Sequence, residues 1–220
     1  MFSDHRLPDL PLGLLATRLP GAAGVLRRCG LAACDDPQRP LSEAAIACDV
    51  ALPAILGALQ DLARAARAAS GWTTEELIAH IVGRYHQCHR SDLALLRALA
   101  QDLEGVSCAG PGCCEGVGGL IRALGFSLEE HMLKEELRVF PLMRLGRSDR
   151  LSDWFALLER EHEDTVHFLL RLEALTDGFR PPGAAPGLRI RFYGELERFS
   201  EEIVAHVFLE EQVLFPRFQA

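Results

Sequence analysis

No uncharged apolar run in this 220-residue sequence reaches the roughly 18 residues expected of a bilayer-crossing helix, so no membrane span is expected. The opening residues, MFSDHRLPDL, have no apolar stretch of the kind a secretion signal needs. A cytoplasmic chain is therefore expected, in a compartment where disulfides are rare. Basic residues are the minority, 23 against 31 acidic, giving a net charge of −8. With no basic stripe to neutralise phosphates, a nucleic-acid partner is excluded. The seven cysteines include no CxxC pair, which argues against a structural zinc ribbon. Aromatic residues are sparse at 7%, and no alternating pattern suggests a strand.

What the sequence does have is Ala, Leu, Glu and Arg, all good helix formers. Residues 1–70 are rich in Ala and Leu and broken by prolines. They read as a small N-terminal module with short helices near 11–18, 20–28 and 41–48 and a longer one near 51–68. Asp49 is placed to cap that last helix, with Pro53 in its first turn. At the module's end, Thr73 and Glu76 have capping-box spacing. Residues 71–220 then read as four long helices, about 74–103, 116–140, 149–176 and 187–214. The connections 105–115, 141–148 and 177–187 are rich in Gly, Pro or both. Pro141 and Pro216 are expected to end their helices. The expected fold is all-α: an up-down-up-down four-helix bundle behind a small helical module.

One sentence is written twice. HMLKEELRVFP (His131–Pro141) and HVFLEEQVLFP (His206–Pro216) both read H-x-x-x-E-E-x-x-x-F-P, 75 residues apart. Residues four apart lie on one helix face, so His131 with Glu135, and His206 with Glu210, should point into the bundle. Glu136 and Glu211 swing about 100° further and are expected to face solvent. Two unpartnered carboxylates in a bundle core would be costly. A metal ion removes the conflict. His86 lies 45 residues before His131, and His162 lies 44 before His206. The chain is thus two hairpins, each supplying two imidazoles and one carboxylate. The expected site is His86, His131, His162 and His206, with Glu135 and Glu210 bridging two metals. Imidazole with carboxylate suits iron, manganese or zinc. Ferritin-like sites carry four carboxylates. Here imidazoles replace two, which favours ferrous iron and a redox-accessible di-iron centre open to oxygen or nitric oxide.

His89, three residues after His86, can share its face; it is read as a residue behind the ligands or at the surface, with a role as an alternative ligand left open. His80 and His167 sit off the ligand faces. Leu128, Met132, Val139, Phe140, Val207, Phe208 and Leu214 read as packing residues. Glu161 is read as part of a solvated charged face in EREHED, with contact to the rim of the site as the alternative.

These residues resemble the repair-of-iron-centres family, the iron–sulfur cluster repair di-iron proteins, and more broadly hemerythrin-like bundles. The resemblance runs through RYHQCH, EEHMLKEELRVFP, EREHED and AHVFLEEQVLFP, with a weaker match over LPLGLLATRLPGAAGVLRRCGLAACDDPQRPLSEAA. It implies a bacterial cytoplasmic stress protein that restores iron–sulfur clusters after nitrosative or oxidative damage, by iron donation, nitric oxide chemistry or both. It implies two irons with an oxo or hydroxo group between them. His86 and His131 would hold one iron and His162 and His206 the other. Partners would be damaged iron–sulfur proteins, nitric oxide or oxygen, and an electron donor. Alternatives are an oxygen- or nitric oxide-binding sensor, or a nitric oxide reductase.

Two positions depart from the family pattern. The N-terminal module has the single Cys34 where a vicinal pair is common. Ser107 and Cys108 stand where a further histidine is common. That leaves a vacant position on one iron, the simpler reading, or Cys108 as a thiolate ligand. Cys34 retains a thiol role, and Cys113 and Cys114 are loop thiols.

Overall fold

A computed structural model describes residues 4–31, 36–66, 71–104, 116–181, 185 and 187–219. The expectations at Cys34, Ser107, Cys108, Cys113 and Cys114 fall outside these residues. Among the described residues there is no strand beyond a single bridge between Pro11 and Pro40. Nor is any helix among them long and apolar enough to cross a membrane.

Four short helices come first: α1 (Leu12–Arg18), α2 (Ala22–Arg28), α3 (Leu41–Ala47) and α4 (Leu52–Ala66), after a 3-10 turn over Asp4–Asp9. Asp49 does not cap α4. It takes a left-handed conformation (φ 53°) just past α3. Its N–H bonds the Ile46 carbonyl and the Val50 N–H bonds the Ala45 carbonyl, the two bonds of a Schellman termination. Asp49 therefore ends one helix and leaves the start of the next to Ala51, whose carbonyl takes the Ala54 and Ile55 N–H groups. Pro53 does fall in the first turn of α4, where its missing N–H costs little. Gly13 allows another close approach, because a Cβ there would meet the Pro37 Cβ at 2.9 Å and its carbonyl oxygen at 3.0 Å.

Four long helices follow as an all-α bundle. Helix α5 spans 74–104, as Thr74–His80, a π turn Ile81–His86 and Gln87–Glu104. The expected capping box is present, with Thr73 and Glu76 exchanging hydrogen bonds. Helix α6 spans 117–144, as Val117–Lys134, a π turn Glu135–Val139 and Phe140–Arg144. Helix α7 is Ser152–Leu175, and α8 spans 187–214, as Gly187–Leu209 and a π turn Glu210–Leu214. A 3-10 turn, Phe215–Phe218, completes it.

Pro141 does not end its helix, which continues to Arg144. The π turn explains this. There the Phe140 N–H reaches back five residues to the Glu135 carbonyl. Where the ladder returns to α register a donor is dispensable, and Pro141, which has none, occupies that place. Pro216 likewise follows a π turn and sits inside the 3-10 turn.

Helix α5 packs against α6 and α8, and α6 against α7. Helix α1 lies against both α7 and α8. Apolar side chains form two clusters. One joins α1–α4 to Leu77, Ile81, Val139, Phe140, Phe155 and Phe215. The other fills the far half of the bundle, around Leu96, Leu124, Met132, Leu172, Leu196 and Phe199. All seven residues read as packing side chains are buried. Between the clusters lies a buried polar layer.

Candidate metal centre

The polar layer is His86, His89, His131, Glu135, His162, His206 and Glu210, none more than 3% exposed. All six residues expected to be ligands are therefore brought together. Nε2 of His86 lies 3.1 Å from Nε2 of His206, and Nε2 of His162 lies 3.1 Å from Nε2 of His131. Two imidazoles on one metal, with bonds of about 2.1 Å, would hold their nitrogens about 3 Å apart. The expected pairing is thus crossed: His86 goes with His206 and His131 with His162. Each pair joins a histidine from one hairpin to a histidine from the other, because α5 packs on α8 and α6 on α7.

The carboxylates span the pairs. Glu135 Oε2 lies 3.3 Å from His86 Nε2 and 3.5 Å from His131 Nε2. Glu210 Oε1 lies 2.8 Å from His206 Nε2, and its Oε2 lies 3.2 Å from His162 Nε2. Hydrogen-bond geometry is missing at most of these contacts. Both Glu135 oxygens and Glu210 Oε2 are buried without a hydrogen-bond partner. Converging nitrogens and orphaned carboxylate oxygens are a donor set that fits a cation. Two four-residue groups result, His86–Glu135–His206–Glu210 and His131–Glu135–His162–Glu210, which share both glutamates.

The π turns aim these groups. His86 ends one, and Glu135 and Glu210 each begin one. A π turn is wider than an α turn, so successive residues diverge less around the axis. That corrects the expectation for Glu136 and Glu211, which do not face open solvent. Glu136 accepts a hydrogen bond from His86 Nδ1 at 2.7 Å, and Glu211 accepts one from His162 Nδ1 at 2.9 Å. Glu161 is corrected too, since it accepts from His131 Nδ1 at 3.0 Å. These three carboxylates hold the Nδ1 protons and leave each Nε2 lone pair facing inward. A cation backs each one: Arg90 on Glu136, Lys134 on Glu161 and Arg18 on Glu211.

The repeated Phe has a place in this arrangement. Phe140 stacks against His86 (22° between planes) and Phe215 against His162 (9°). In each copy, then, the second Glu and the Phe serve the histidine of the other helix in the same hairpin. The doubled Glu-Glu was the signal for this in the sequence, and a 3.6-residue period misread it.

The fourth imidazole differs. His206 Nδ1 is buried without a hydrogen-bond partner, and Tyr85 stacks on its ring at 5.5 Å. Tyr85 precedes His86 just as Glu161 precedes His162, so the pseudo-symmetry breaks here. His89 is not at the surface. It is fully buried, its ring is 5.2 Å from that of His206, and neither nitrogen has a hydrogen-bond partner. His167 is exposed, in keeping with its reading off the ligand faces.

The buried carboxylates set the proton affinities of the imidazoles around them. Burial lowers the proton affinity of His162, but Glu210 and Glu211 outweigh it and raise its pKa to about 9. His86 is also raised, since Glu135, Glu210 and Glu136 outweigh its burial. Burial and neighbouring positive charge hold His206 and His89 well below the ordinary histidine range. Burial opposes ionisation of Glu161, yet His131 and Lys134 bring it down to about 2.

The comparisons with known proteins agree with this geometry. The hemerythrin HHE cation binding domain matches residues 77–218. The protein named iron-sulfur cluster repair protein YtfE from Edwardsiella ictaluri is 33% identical over 212 residues, covering 95% of this chain and 96% of that one. Proteins of the same name from Dickeya chrysanthemi and Pectobacterium atrosepticum are 29% and 30% identical with the same coverage. A buried twin set of imidazoles and carboxylates in a four-helix bundle, matched over nearly its full length, makes this chain a metal-binding member of the hemerythrin HHE family and, within it, of the iron–sulfur cluster repair proteins.

Proposed function

We propose that this chain is a di-iron protein that restores iron–sulfur clusters damaged by nitrosative or oxidative stress, through iron donation, nitric oxide chemistry or both. The observation that carries this reading is the pair of imidazole pairs, each with nitrogens 3.1 Å apart, spanned by two shared buried carboxylates. The relatives, named as iron-sulfur cluster repair proteins, support the cluster-repair role. His86 and His206 would hold one iron and His131 and His162 the other, with Glu135 and Glu210 common to both. Neutral imidazoles with few charged ligands favour the ferrous state, and no thiolate is needed. Bound iron would supply a redox couple and a position for nitric oxide or oxygen.

The chain's own residues prepare that chemistry. Glu136, Glu161 and Glu211 fix three imidazole tautomers. Phe140 and Phe215 cover the His86 and His162 rings and keep water from them. Both carboxylates lie in a fully buried layer, where a proton or a cation must balance them.

The test loads the protein with isotope-labelled ferrous iron and mixes it with a cluster enzyme inactivated by nitric oxide. Label recovered in the reactivated enzyme supports repair. Reactivation without label would point to nitric oxide chemistry rather than iron donation, whereas reversible spectral change with nitric oxide or oxygen and no reactivation would assign the site to gas binding and sink the repair reading.

A further inference from the structure

Three of the four inward-facing imidazoles end a chain of cation, carboxylate and Nδ1–H. Two of these chains are built within the bundle. Arg90 Nη1 lies 3.0 Å from Glu136, which holds His86, and Lys134 bonds Glu161, which holds His131. The third is not. Arg90 stands four residues after His86, on the same helix face, and the position four after His162 is Val166. The bundle therefore offers no cation to Glu211 at the matching place. Arg18, the last residue of α1, fills it, with Nη1 on Glu211 Oε2. Glu211 Oε1 in turn accepts from His162 Nδ1 at 2.9 Å. Both side chains are mostly buried, Arg18 at 21% and Glu211 at 12% exposure. Helix α1 lies along the seam between α7 and α8, in contact with each, and so carries Arg18 to this point.

We infer that Arg18 is a positioning residue for His162. Through it, the seating of the N-terminal helices determines how tightly the His131–His162 position holds its metal. This rests on the di-iron reading only in its last step. The physical reason is the state of Glu211 once Arg18 withdraws. A mostly buried carboxylate that has lost its cation is costly where it stands and swings toward water. That movement ends its hold on the His162 Nδ1 proton and frees the ring to turn. Loss of such an outer partner typically weakens a metal site by about 10–100-fold. A protein that gives up iron gains from this a way to release one metal before the other.

The experiment compares wild type, Arg18→Met, Arg18→Lys and Arg90→Met. In metal-free protein labelled with 15N-histidine, Arg18→Met should shift or broaden the His162 Nδ1–H resonance and leave that of His86 in place. Arg90→Met should do the reverse, which a general loss of stability would not. In the iron-loaded protein, Arg18→Met should speed transfer of one of two iron equivalents to a chelator by about ten-fold or more. Arg18→Lys should restore most of the wild-type rate, since a lysine already serves Glu161. An unchanged His162 signal, or both irons leaving at wild-type rates, overturns the inference. A wild-type chain that takes up no iron while its His162 signal still responds to Arg18→Met would remove the di-iron reading and leave the link from Arg18 to His162 standing. Should Arg18→Met fail to fold, Arg18→Gln replaces it in both measurements.

Discussion

Glu136 holds the Nδ1 proton of His86 at 2.7 Å, from one residue beyond the carboxylate that faces the metal position. Glu135 and Glu136 thus act on opposite ends of the same imidazole. Glu136→Ala should leave the bundle folded, because that side chain is 23% exposed and Arg90 keeps Glu129 as a partner. Metal affinity should fall by about 10–100-fold, as titration against a chelator would measure. Wild-type affinity in this variant would show that His86 needs no outer partner.

Glu135→Leu should separate binding from stability. Glu135 is common to both four-residue groups, so its loss should deplete both metal positions rather than one. The metal-free protein should melt near the wild-type temperature, because the leucine removes a buried charge and His86 can shed its proton. Elemental analysis and calorimetry on one preparation test both halves. Full metal content would refute the bridging role.

The metal-free protein should be most stable near pH 6.5. His86 and His162 have folded pKa values above the ordinary 6.5, the latter about 9. What they contribute is complete below 6.5 and lost as pH rises toward 9. His89 and His206 have folded values well below 6.5, so their neutral burial favours folding above 6.5 and disfavours it as pH falls. Thermal melts from pH 5 to 9 should trace a maximum that flattens on its alkaline side once metal is bound, since metal displaces the same protons. A melting temperature rising steadily to pH 9 would contradict this.

Phe140→Ala and Phe215→Ala should each destabilise the protein by about 3–5 kcal/mol, the range for emptying a buried aromatic site. Both rings are at most 1% exposed. Phe215 also stacks on Phe155, with centroids 4.6 Å apart. Leu137→Ala, three residues before Phe140 but 64% exposed, should change stability by less than about 0.5 kcal/mol. Urea titration of the three variants measures the contrast.

Much of this was legible in residue spacing. The doubled H-x-x-x-E-E-x-x-x-F-P and the 44- and 45-residue offsets named six of the seven groups of the buried layer, all but His89. The capping box at Thr73 and the start of each long helix also followed local rules, because caps and helix faces depend on residues three and four apart. Asp49 was misplaced because one Asp can either start a helix or occupy a left-handed stop, and packing decided for the stop.

The sequence by itself determined the helices, their apolar faces and the inward-facing imidazoles and carboxylates, since each follows from a period of 3.6 residues and the cost of burying charge. Tertiary structure alone decided which histidines share a metal position, because that depends on which helices touch across the bundle. It also turned Glu136 and Glu211 inward, through a widening of the helix that arises only as π turns form at the site. And it set Arg18 on Glu211 across 193 residues of chain, a contact that exists only because α1 lies against α7 and α8.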